Sequence, residues 1–268
     1  MNRTIGIMGC GWLGQPLAEH LVQKGYNVRG STTRNEKRPV LEAHGIETHV
    51  LTLDTSGFSG NVDQFLAGLD VLVFNLPPGL RKNPNLDFVA KIEQLLVALR
   101  RSMVPRLLFI SSTSVYGRLQ GRVDETSLPI PDTASGKQVL AAEEKIWGDR
   151  ISRSTLIIRL GGLVGPDRHP VMILSGRSGL PHGCDPVNLI QQHEAIRIID
   201  LAIERTAWEG ILNAVHPDHP KKSDYYTREA LRLGIIPPQY AADSRKENPK
   251  QVLSRFAPEL ISVFSKHL

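Results

Sequence analysis

The sequence has few cysteines and no long hydrophobic run, and these absences exclude several classes of protein. Cys10 and Cys184 are the two cysteines among 268 residues, too few for a disulfide framework and in keeping with a reducing compartment. No apolar stretch approaches the length that crosses a bilayer. The first residues run directly into a strand pattern, without the features of a secretion signal. We therefore expect a cytoplasmic protein with no membrane partner.

The chain also lacks a concentrated basic region, an internal repeat and a low-complexity tract. The formal net charge is +5, but the basic residues are scattered and form no arm or aromatic-interleaved patch. This distribution argues against a nucleic-acid partner and suits a small phosphate-bearing ligand better. Hydrophobic residues make up 41% and charged residues 22%, which is typical of a protein with a sizeable core.

The most informative segment is Gly9-Cys10-Gly11-Trp12-Leu13-Gly14, which follows a short apolar run. In a Gly-x-Gly-x-x-Gly turn between strand and helix, the first glycine turns tightly and the second lets the backbone approach a pyrophosphate. The third glycine lets the helix pack close to the strand. The free N–H groups at the helix start favour anionic phosphates. The segment predicts dinucleotide binding, with Trp12 and Leu13 as further cofactor contacts.

The residues after the second predicted strand indicate which dinucleotide is bound. An NAD site usually has Asp or Glu about 20 residues after the glycines, on the ribose 2′-hydroxyl. This chain has Thr32, Thr33 and Arg34 there, with no acid before Glu36. Two hydroxyls and a guanidinium suit a 2′-phosphate. We predict NADP, with NAD as the alternative cofactor and a solvated polar loop as the alternative interpretation.

Strand-like and helix-like patterns alternate through the first part of the chain. The predicted strands are Thr4–Met8, Asn27–Ser31, Glu47–Leu51, Val71–Asn75, Arg106–Ser111 and Thr155–Arg159. The predicted helices between them are Leu13–Lys24, Glu36–His44, Val62–Ala67, Leu86–Arg101 and Gly136–Asp149. This alternation predicts an α/β fold of Rossmann type: a doubly wound parallel sheet of six or seven strands with helices on both faces.

The alternation breaks after Arg159, where segments rich in glycine and proline begin. A helix near His193–Thr206, a strand near Gly210–Ala214 and a helix near Ser223–Leu233 follow. We predict a dinucleotide-binding domain over residues 1–160. Residues 161–268 are predicted to form a smaller, mixed substrate-binding lobe, interleaved with the first part into one structural unit.

A second set of motifs carries a family resemblance. The run Leu107-Leu108-Phe109-Ile110-Ser111-Ser112-Thr113-Ser114-Val115-Tyr116-Gly117 resembles the extended short-chain dehydrogenase/reductase superfamily, the NAD(P)-dependent epimerases and dehydratases. Other motifs of that superfamily occur along this chain in the order that the superfamily has them. Among them are Asn75-Leu76-Pro77-Pro78 and Arg159-Leu160-Gly161-Gly162. Gly-x-Gly-Trp-Leu-Gly at the start resembles an atypical bacterial branch, whose late Gly-Pro-Gly-Arg-His-Pro has Asp167 in place of its second glycine here.

The resemblance implies a set of site residues. Asn75, Leu76, Pro77 and Ser111 are expected to contact the cofactor, and Ser112 matches the family's hydroxyl hydrogen-bond donor. Asp54 is expected either to meet the adenine ring or to serve only as a turn residue.

The family's Tyr-x-x-x-Lys pair is absent from this chain. The phenol acts as acid or base, and the lysine four residues on lowers its pKa and holds the ribose. The matching positions carry Ser135 and Val139. Tyr116 and His169 are the remaining candidates for proton transfer beside Ser112. A packed tyrosine and a surface histidine are the plainer alternatives.

Two functions follow from these residues. The first is an NADP-dependent oxidoreductase or epimerase/dehydratase-like enzyme acting on a small hydroxyl or carbonyl compound, which a nucleotide sugar would satisfy. The second is a non-catalytic NADP(H)-binding sensor or regulatory module. We expect no metal, because the histidines of His216-x-x-His219 lack further ligands at suitable spacing. The apolar residues of the two helices after the fourth and fifth predicted strands leave monomer and homodimer open.

Overall fold

A computed structural model describes residues 3–80, 83, 85–149, 154–242 and 248–268. Its strands are β1 (Thr4–Met8), β2 (Asn27–Thr32), β3 (Glu47–Val50), β4 (Thr52–Asp54), β5 (Gly57–Ser59), β6 (Val71–Phe74), β7 (Arg106–Ser112), β8 (Arg122–Val123), β9 (Ser154–Leu160), β10 (Gly162–Val164), β11 (Leu189–Gln191), β12 (Gly210–Ala214) and β13 (Gln251–Val252). Its helices are α1 (Gly14–Gln23), α2 (Arg38–Ala43), α3 (Val62–Leu66), α4 (Phe88–Ser102), α5 (Ala134–Asp149), α6 (Val171–Leu174), α7 (Gln192–Glu204), α8 (Lys222–Arg232) and α9 (Ala257–Leu260).

Seven parallel strands form the central sheet, in the order β12-β9-β7-β6-β1-β2-β3. The order reverses at β1, because β2 and β3 lie on one side of it and β6 on the other. In sheets of this kind a ligand binds outside the carboxyl ends of the strands at that reversal. The predicted Rossmann-type fold is confirmed.

Apolar side chains cover both faces of the sheet. One core includes Leu17 and Leu21 of α1 with Ile198 of α7, and the other includes Leu95 of α4 with Ile146 of α5. Every residue of β6 is buried. The sequences of such strands are therefore continuous apolar runs.

The second part of the chain completes the sheet and builds a smaller cluster. The strand β12 pairs with β9, so residues after 160 supply the strand at that edge. A separate apolar cluster in this part consists of Val164, Val171, Val187, Leu189, Tyr225, Tyr226, Ala230 and Leu268. The division of the chain at residue 160 stays a prediction.

The ends of the predicted helices shift by up to two residues in the structure, and two of them begin later than predicted for identifiable reasons. The predicted helix Glu36–His44 divides into a 3₁₀ turn at Asn35–Lys37 and α2. The predicted helix Leu86–Arg101 begins at Phe88, since the Asp87 carboxylate accepts the Ala90 N–H at 2.9 Å and caps α4.

The helices α4 and α5 pack side by side. The Phe88 N–H donates to Gln138 Oε1 at 2.6 Å, and the Lys145 ammonium lies 2.6 Å from Glu93 Oε1. Val97 and Trp147 on these helices are 42% and 50% exposed. The two predicted alternatives, a monomer and a homodimer through this helix pair, both stay open. Among the described residues, no helix combines the length and hydropathy needed to cross a membrane.

Candidate cofactor and substrate site

The glycine loop is fixed to the end of β2 by two hydrogen bonds. The Gly9 N–H donates to Ser31 Oγ at 2.9 Å, and the Cys10 N–H donates to the Ser31 carbonyl at 2.8 Å. Gly9 has φ +107°, a conformation that side-chain-bearing residues rarely adopt. The loop therefore turns sharply between β1 and α1, as the motif requires.

Gly14 and Gly11 serve different purposes in this loop. A Cβ on Gly14 would lie 2.1 Å from the Gly9 carbonyl oxygen, so α1 approaches β1 too closely for any side chain there. A Cβ on Gly11 would meet nothing within 4 Å. Leu13, at the start of α1, supplies no side-chain cap. Open space beside Gly11 and an uncapped helix start fit a pyrophosphate group.

The end of β2 presents a guanidinium to solvent. The Arg34 side chain is 63% exposed, and its Nε lies 3.9 Å from Glu36 Oε1. Thr32 is buried and its hydroxyl oxygen accepts the Arg34 N–H at 3.2 Å, while Thr33 is exposed. Thr32 thus orients the turn, and Thr33 and Arg34 remain accessible to a ligand.

Lys37 is a basic residue of this region that the sequence reasoning missed. Its ammonium donates to the Cys10 carbonyl at 3.0 Å and to Gln15 Oε1 at 2.8 Å. These contacts bring a positive charge from the turn before α2 onto the glycine loop. The absence of an acid at the end of β2 was the available signal, but the reach of this side chain depends on the fold.

Asn75, Leu76 and Pro77 follow β6 and lie beside the loop. The Asn75 amide donates to the Gly9 carbonyl at 3.2 Å, and Leu76 Cδ2 lies 2.8 Å from where a Gly9 Cβ would be. Pro77 is exposed. Asn75 and Leu76 thus flank the space next to the glycine loop, and the expected cofactor contacts of all three residues stay predictions.

Trp12 joins the glycine loop to the second part of the chain. Its indole Nε1 donates to the Pro166 carbonyl at 3.2 Å, and the Arg168 guanidinium lies 5.0 Å from the ring centroid. The Gln192 amide donates to the Trp12 carbonyl at 2.7 Å. The ring therefore faces the loop after β10, and a cofactor contact of Trp12 would use its backbone.

Asp54 ends β4 in a tight turn. Its carboxylate accepts the Ser56 N–H at 2.8 Å and the Ser56 hydroxyl at 2.6 Å. These hydrogen bonds hold the Asp54 pKa below its usual value. The geometry is that of a turn residue, and the expected adenine contact stays a prediction.

The end of β7 carries two serines with different surroundings. The buried Ser111 hydroxyl donates to the Glu143 carboxylate in the interior. Ser112 is half-buried, and its Oγ accepts the Ser114 N–H at 3.1 Å. Ser112 keeps a hydroxyl proton for a further acceptor at the carboxyl edge of the sheet, whereas Ser111 donates inward.

The start of α5 packs tightly against the turn after β7. A Cβ on Gly136 would lie 2.3 Å from the Ser114 carbonyl oxygen. Val139 is 2% exposed and lies in an apolar cluster with Val115, Tyr116, Val123, Val215 and Val252. Lys137 is exposed. Val139, which the resemblance matches to the family's lysine, is therefore a packed valine, and Lys137 on the same helix faces solvent.

Tyr116 is held in the interior by hydrogen bonds. It is 1% exposed, and its hydroxyl oxygen accepts from Arg159 Nη1 at 2.7 Å. The hydroxyl lies 2.8 Å from the Asp124 carbonyl and 3.2 Å from Asn213 Oδ1. Burial raises the Tyr116 pKa despite the adjacent guanidinium. These contacts favour a structural role over proton transfer to a bound substrate.

Both ring nitrogens of His169 have hydrogen-bond partners within the protein. Its Nδ1 accepts the Val171 N–H at 3.2 Å, so Nε2 carries the proton of the neutral ring and donates to the Tyr225 hydroxyl at 3.0 Å. Burial lowers the His169 pKa, which keeps the ring neutral near neutral pH. Its packing on Tyr225 and Tyr226 favours a structural role as well.

Lys250 is the second basic residue that the sequence reasoning missed. Its ammonium donates to the carbonyls of Thr113 and Tyr116, both at 2.8 Å. It therefore fixes the turn that directly follows Ser112. Its backbone N–H donates to the Arg118 carbonyl at 2.7 Å, which holds this distant segment against the end of β7.

A separate cleft lies away from these residues. It has a volume of about 420 Å³ and lies beside the edge strand β3, lined by Arg38, Glu42, His49 and Gln64 among others. It contains none of the predicted site residues. We place the candidate site at the glycine loop and the end of β7, because both follow parallel strands of one sheet and so lie at its carboxyl edge.

Comparison with known proteins identifies the family. The model of the NAD dependent epimerase/dehydratase family matches residues 5–173. The protein YeeZ of Escherichia coli K12 is 34% identical over 241 residues, which cover 89% of this chain and 86% of YeeZ. The chain belongs to the NAD-dependent epimerase/dehydratase family. The family resemblance that its motifs carry is confirmed, including its bacterial branch.

Solved structures of this family share the fold at low sequence identity. MoeE5 in complex with UDP-glucose and NAD superposes with a TM-score of 0.78 at 19% identity, over 99% of this chain and 94% of that one. The UDP-glucose 4-epimerase of Thermus thermophilus in complex with NAD gives 0.72 at 19% identity, over 97% and 92%. At this identity the likeness concerns the fold.

Proposed function

We propose that this protein is an NADP(H)-dependent oxidoreductase of the epimerase/dehydratase family, acting on a small hydroxyl or carbonyl compound. The single observation that carries the proposal is the intact dinucleotide loop at the same sheet edge as a half-buried Ser112 at the end of β7. A nucleotide sugar is one substrate that this description includes, since MoeE5 was solved with UDP-glucose.

The preference for NADP rests on charge at the end of β2. Arg34 is exposed there, and Lys37 adds a cation on the glycine loop. A 2′-phosphate carries nearly two negative charges, and Arg binds such groups through paired donors. The adjacent acid is Glu36, which lies 3.9 Å from Arg34 and leaves the local charge positive.

The reaction we propose is hydride transfer at a carbon that Ser112 orients. The bound nicotinamide would supply or accept the hydride. The Ser112 hydroxyl would donate a hydrogen bond to the substrate carbonyl and so favour the charge that develops on its oxygen. Because Tyr116 and His169 are occupied by other partners, we propose that water at the exposed side of Ser112 supplies the proton.

The test is a screen of aldehydes, ketones and sugar nucleotides with NADPH oxidation as the signal. With a substrate in hand, Ser112→Ala is expected to lower kcat about 10–100-fold with little change in the affinity for NADPH. Ser175→Ala is the matched control, because its hydroxyl donates to the Ile236 carbonyl far from the loop. Full activity of the Ser112 variant would overturn the assignment.

A second candidate function is a dinucleotide-binding module without turnover. The observation that favours it is Val139, which packs among apolar side chains where the family has its lysine. Under this alternative the protein binds NADPH tightly and the screen finds no substrate. Turnover of any compound in the screen that Ser112→Ala slows would reject it.

A further inference from the structure

Three cations from separate segments line one small cleft. They are Arg118 after the β7 turn, Lys222 at the start of α8, and Lys250 before β13. Among the described residues that line the cleft, Asp185 is the one with a negative charge. Its Oδ2 lies 3.2 Å from the Lys222 ammonium and 3.9 Å from Arg118 Nη1. These four described side chains of the lining together carry a net charge of about +2 near neutral pH.

Lys250 carries its charge in an unfavourable environment. Both hydrogen bonds that its ammonium makes to described residues go to neutral carbonyls. Burial lowers the Lys250 pKa, Lys222 lowers it further, and Asp132 acts in the opposite direction. A cation held by carbonyls beside a second cation is stabilised by an anion in the same cleft.

The size of the cleft limits the anion. Its volume is about 150 Å³, whereas sites for drug-sized ligands begin at roughly 300 Å³. The cleft can hold a phosphate group and a few further atoms, but not a nucleotide. A phosphate monoester carries between one and two negative charges near neutral pH, which matches the charge of the lining better than a carboxylate does.

The cleft adjoins the proposed reaction site through Lys250. The same ammonium that lines the cleft holds the carbonyls of Thr113 and Tyr116, and Ser112 comes directly before that turn. On the far side, Asn188 donates to the Lys250 carbonyl at 2.9 Å and accepts the Val252 N–H at 2.7 Å. The cleft wall is thus a fixed part of the fold.

We propose that this cleft binds the terminal phosphate of a small phosphomonoester, and that this compound is the substrate class of the enzyme. The second clause rests on the proposed function; the binding of phosphate does not. Arg118 and Lys222 would contact the phosphate from the open side, and Lys250 from the side of the β7 turn.

The experiment is calorimetric titration of the protein with inorganic phosphate, acetate and UDP. Lys222→Gln is expected to weaken phosphate binding at least about tenfold, the loss of one charge-assisted contact. Lys221→Gln, an exposed neighbour that does not line the cleft, is the control and should bind like wild type. Thermal melts of both variants show whether the fold is kept.

Three results would overturn the inference. One is unchanged phosphate affinity in Lys222→Gln and Arg118→Gln, which would place any bound phosphate at the glycine loop instead. Acetate binding as tightly as phosphate would identify a carboxylate site. UDP binding more tightly than phosphate, with the same dependence on Lys222, would identify a nucleotide site. Phosphate binding through Lys222 with no turnover of phosphomonoesters would reject these compounds as the substrate class and leave the phosphate site standing, whereas the proposed function is tested separately by the NADPH screen.

Discussion

The Arg159 guanidinium clasps both oxygens of the Glu143 carboxylate in the interior of the protein. Nε lies 3.1 Å from each oxygen, and Nη2 lies 2.6 Å from Oε2. The two side chains are 2% and 4% exposed. The pair also makes hydrogen bonds to the Ser111 and Tyr116 hydroxyls. It therefore fixes the end of β7 and the residue that follows the next turn.

This ion pair predicts a large loss of stability when one partner is removed. Glu143→Ala is expected to lower the free energy of unfolding by about 3–5 kcal/mol, because it leaves the Arg159 charge buried and unpaired. Urea denaturation measures the change. Glu144→Ala is the control, since its side chain is exposed one residue along α5, and equal losses in the two variants would contradict the account.

Alanine substitutions at Gly11 and Gly14 of the glycine loop are expected to have different effects on the stability of the protein. Gly11→Ala is expected to leave the unfolding free energy within about 1 kcal/mol of wild type, since its Cβ meets nothing within 4 Å. It should nevertheless weaken dinucleotide binding, because the Cβ occupies the space proposed for the pyrophosphate.

Gly14→Ala should instead destabilise the protein, because its Cβ would lie 2.1 Å from the Gly9 carbonyl. Urea denaturation and cofactor titration of both variants check the pair. Undiminished NADPH affinity in Gly11→Ala would place the cofactor elsewhere.

Protonation of His219 is expected to cause part of the protein's loss of stability in acid. Its Nδ1 lies 2.9 Å from the Val187 carbonyl, and its buried Nε2 has no partner among the residues that the structure describes. Burial lowers the His219 pKa from its ordinary value of 6.5. The unfolded chain therefore binds more protons than the folded chain, and the stability present above pH 6.5 declines as the pH falls through and below it.

The matched variant is His219→Asn, whose amide can donate to Val187 without titrating. Urea denaturation at about pH 8 and about pH 5.5 should show a smaller loss of stability in this variant than in wild type. His44→Asn, at a side chain that is 51% exposed, should lose as much as wild type. An equal loss in His219→Asn would contradict the role of this histidine.

The sequence predicts the elements whose signals are local. Thr4–Met8 and Gly210–Ala214 are strands with the predicted bounds, because an apolar run between polar or glycine-rich flanks specifies a buried strand without distant partners. The glycine motif likewise predicts its own turn. The paired strands β8 and β13 were missed, since Arg122 pairs with Gln251 across nearly half of the chain.

The positions of the basic residues at the site could likewise be predicted only where the signal is local. Arg34 comes two residues after the end of β2, so its place at the carboxyl edge could be predicted. Lys37 reaches a carbonyl 27 positions earlier, and Lys250 one 137 positions earlier. Contacts over such separations depend on how the segments pack, which no motif within the segments specifies.

The central claim is that this chain binds NADP(H) in preference to NAD(H), and calorimetric titration with NADPH and NADH tests it most directly. We expect tighter binding of NADPH, and a loss of about tenfold or more in NADPH affinity in Arg34→Ala, with little change for NADH. Arg38→Ala, whose guanidinium pairs with Glu42 at 2.8 Å, should bind both cofactors like wild type. NADH binding as tightly as NADPH, or an Arg34→Ala variant with unchanged NADPH affinity, would contradict the claim.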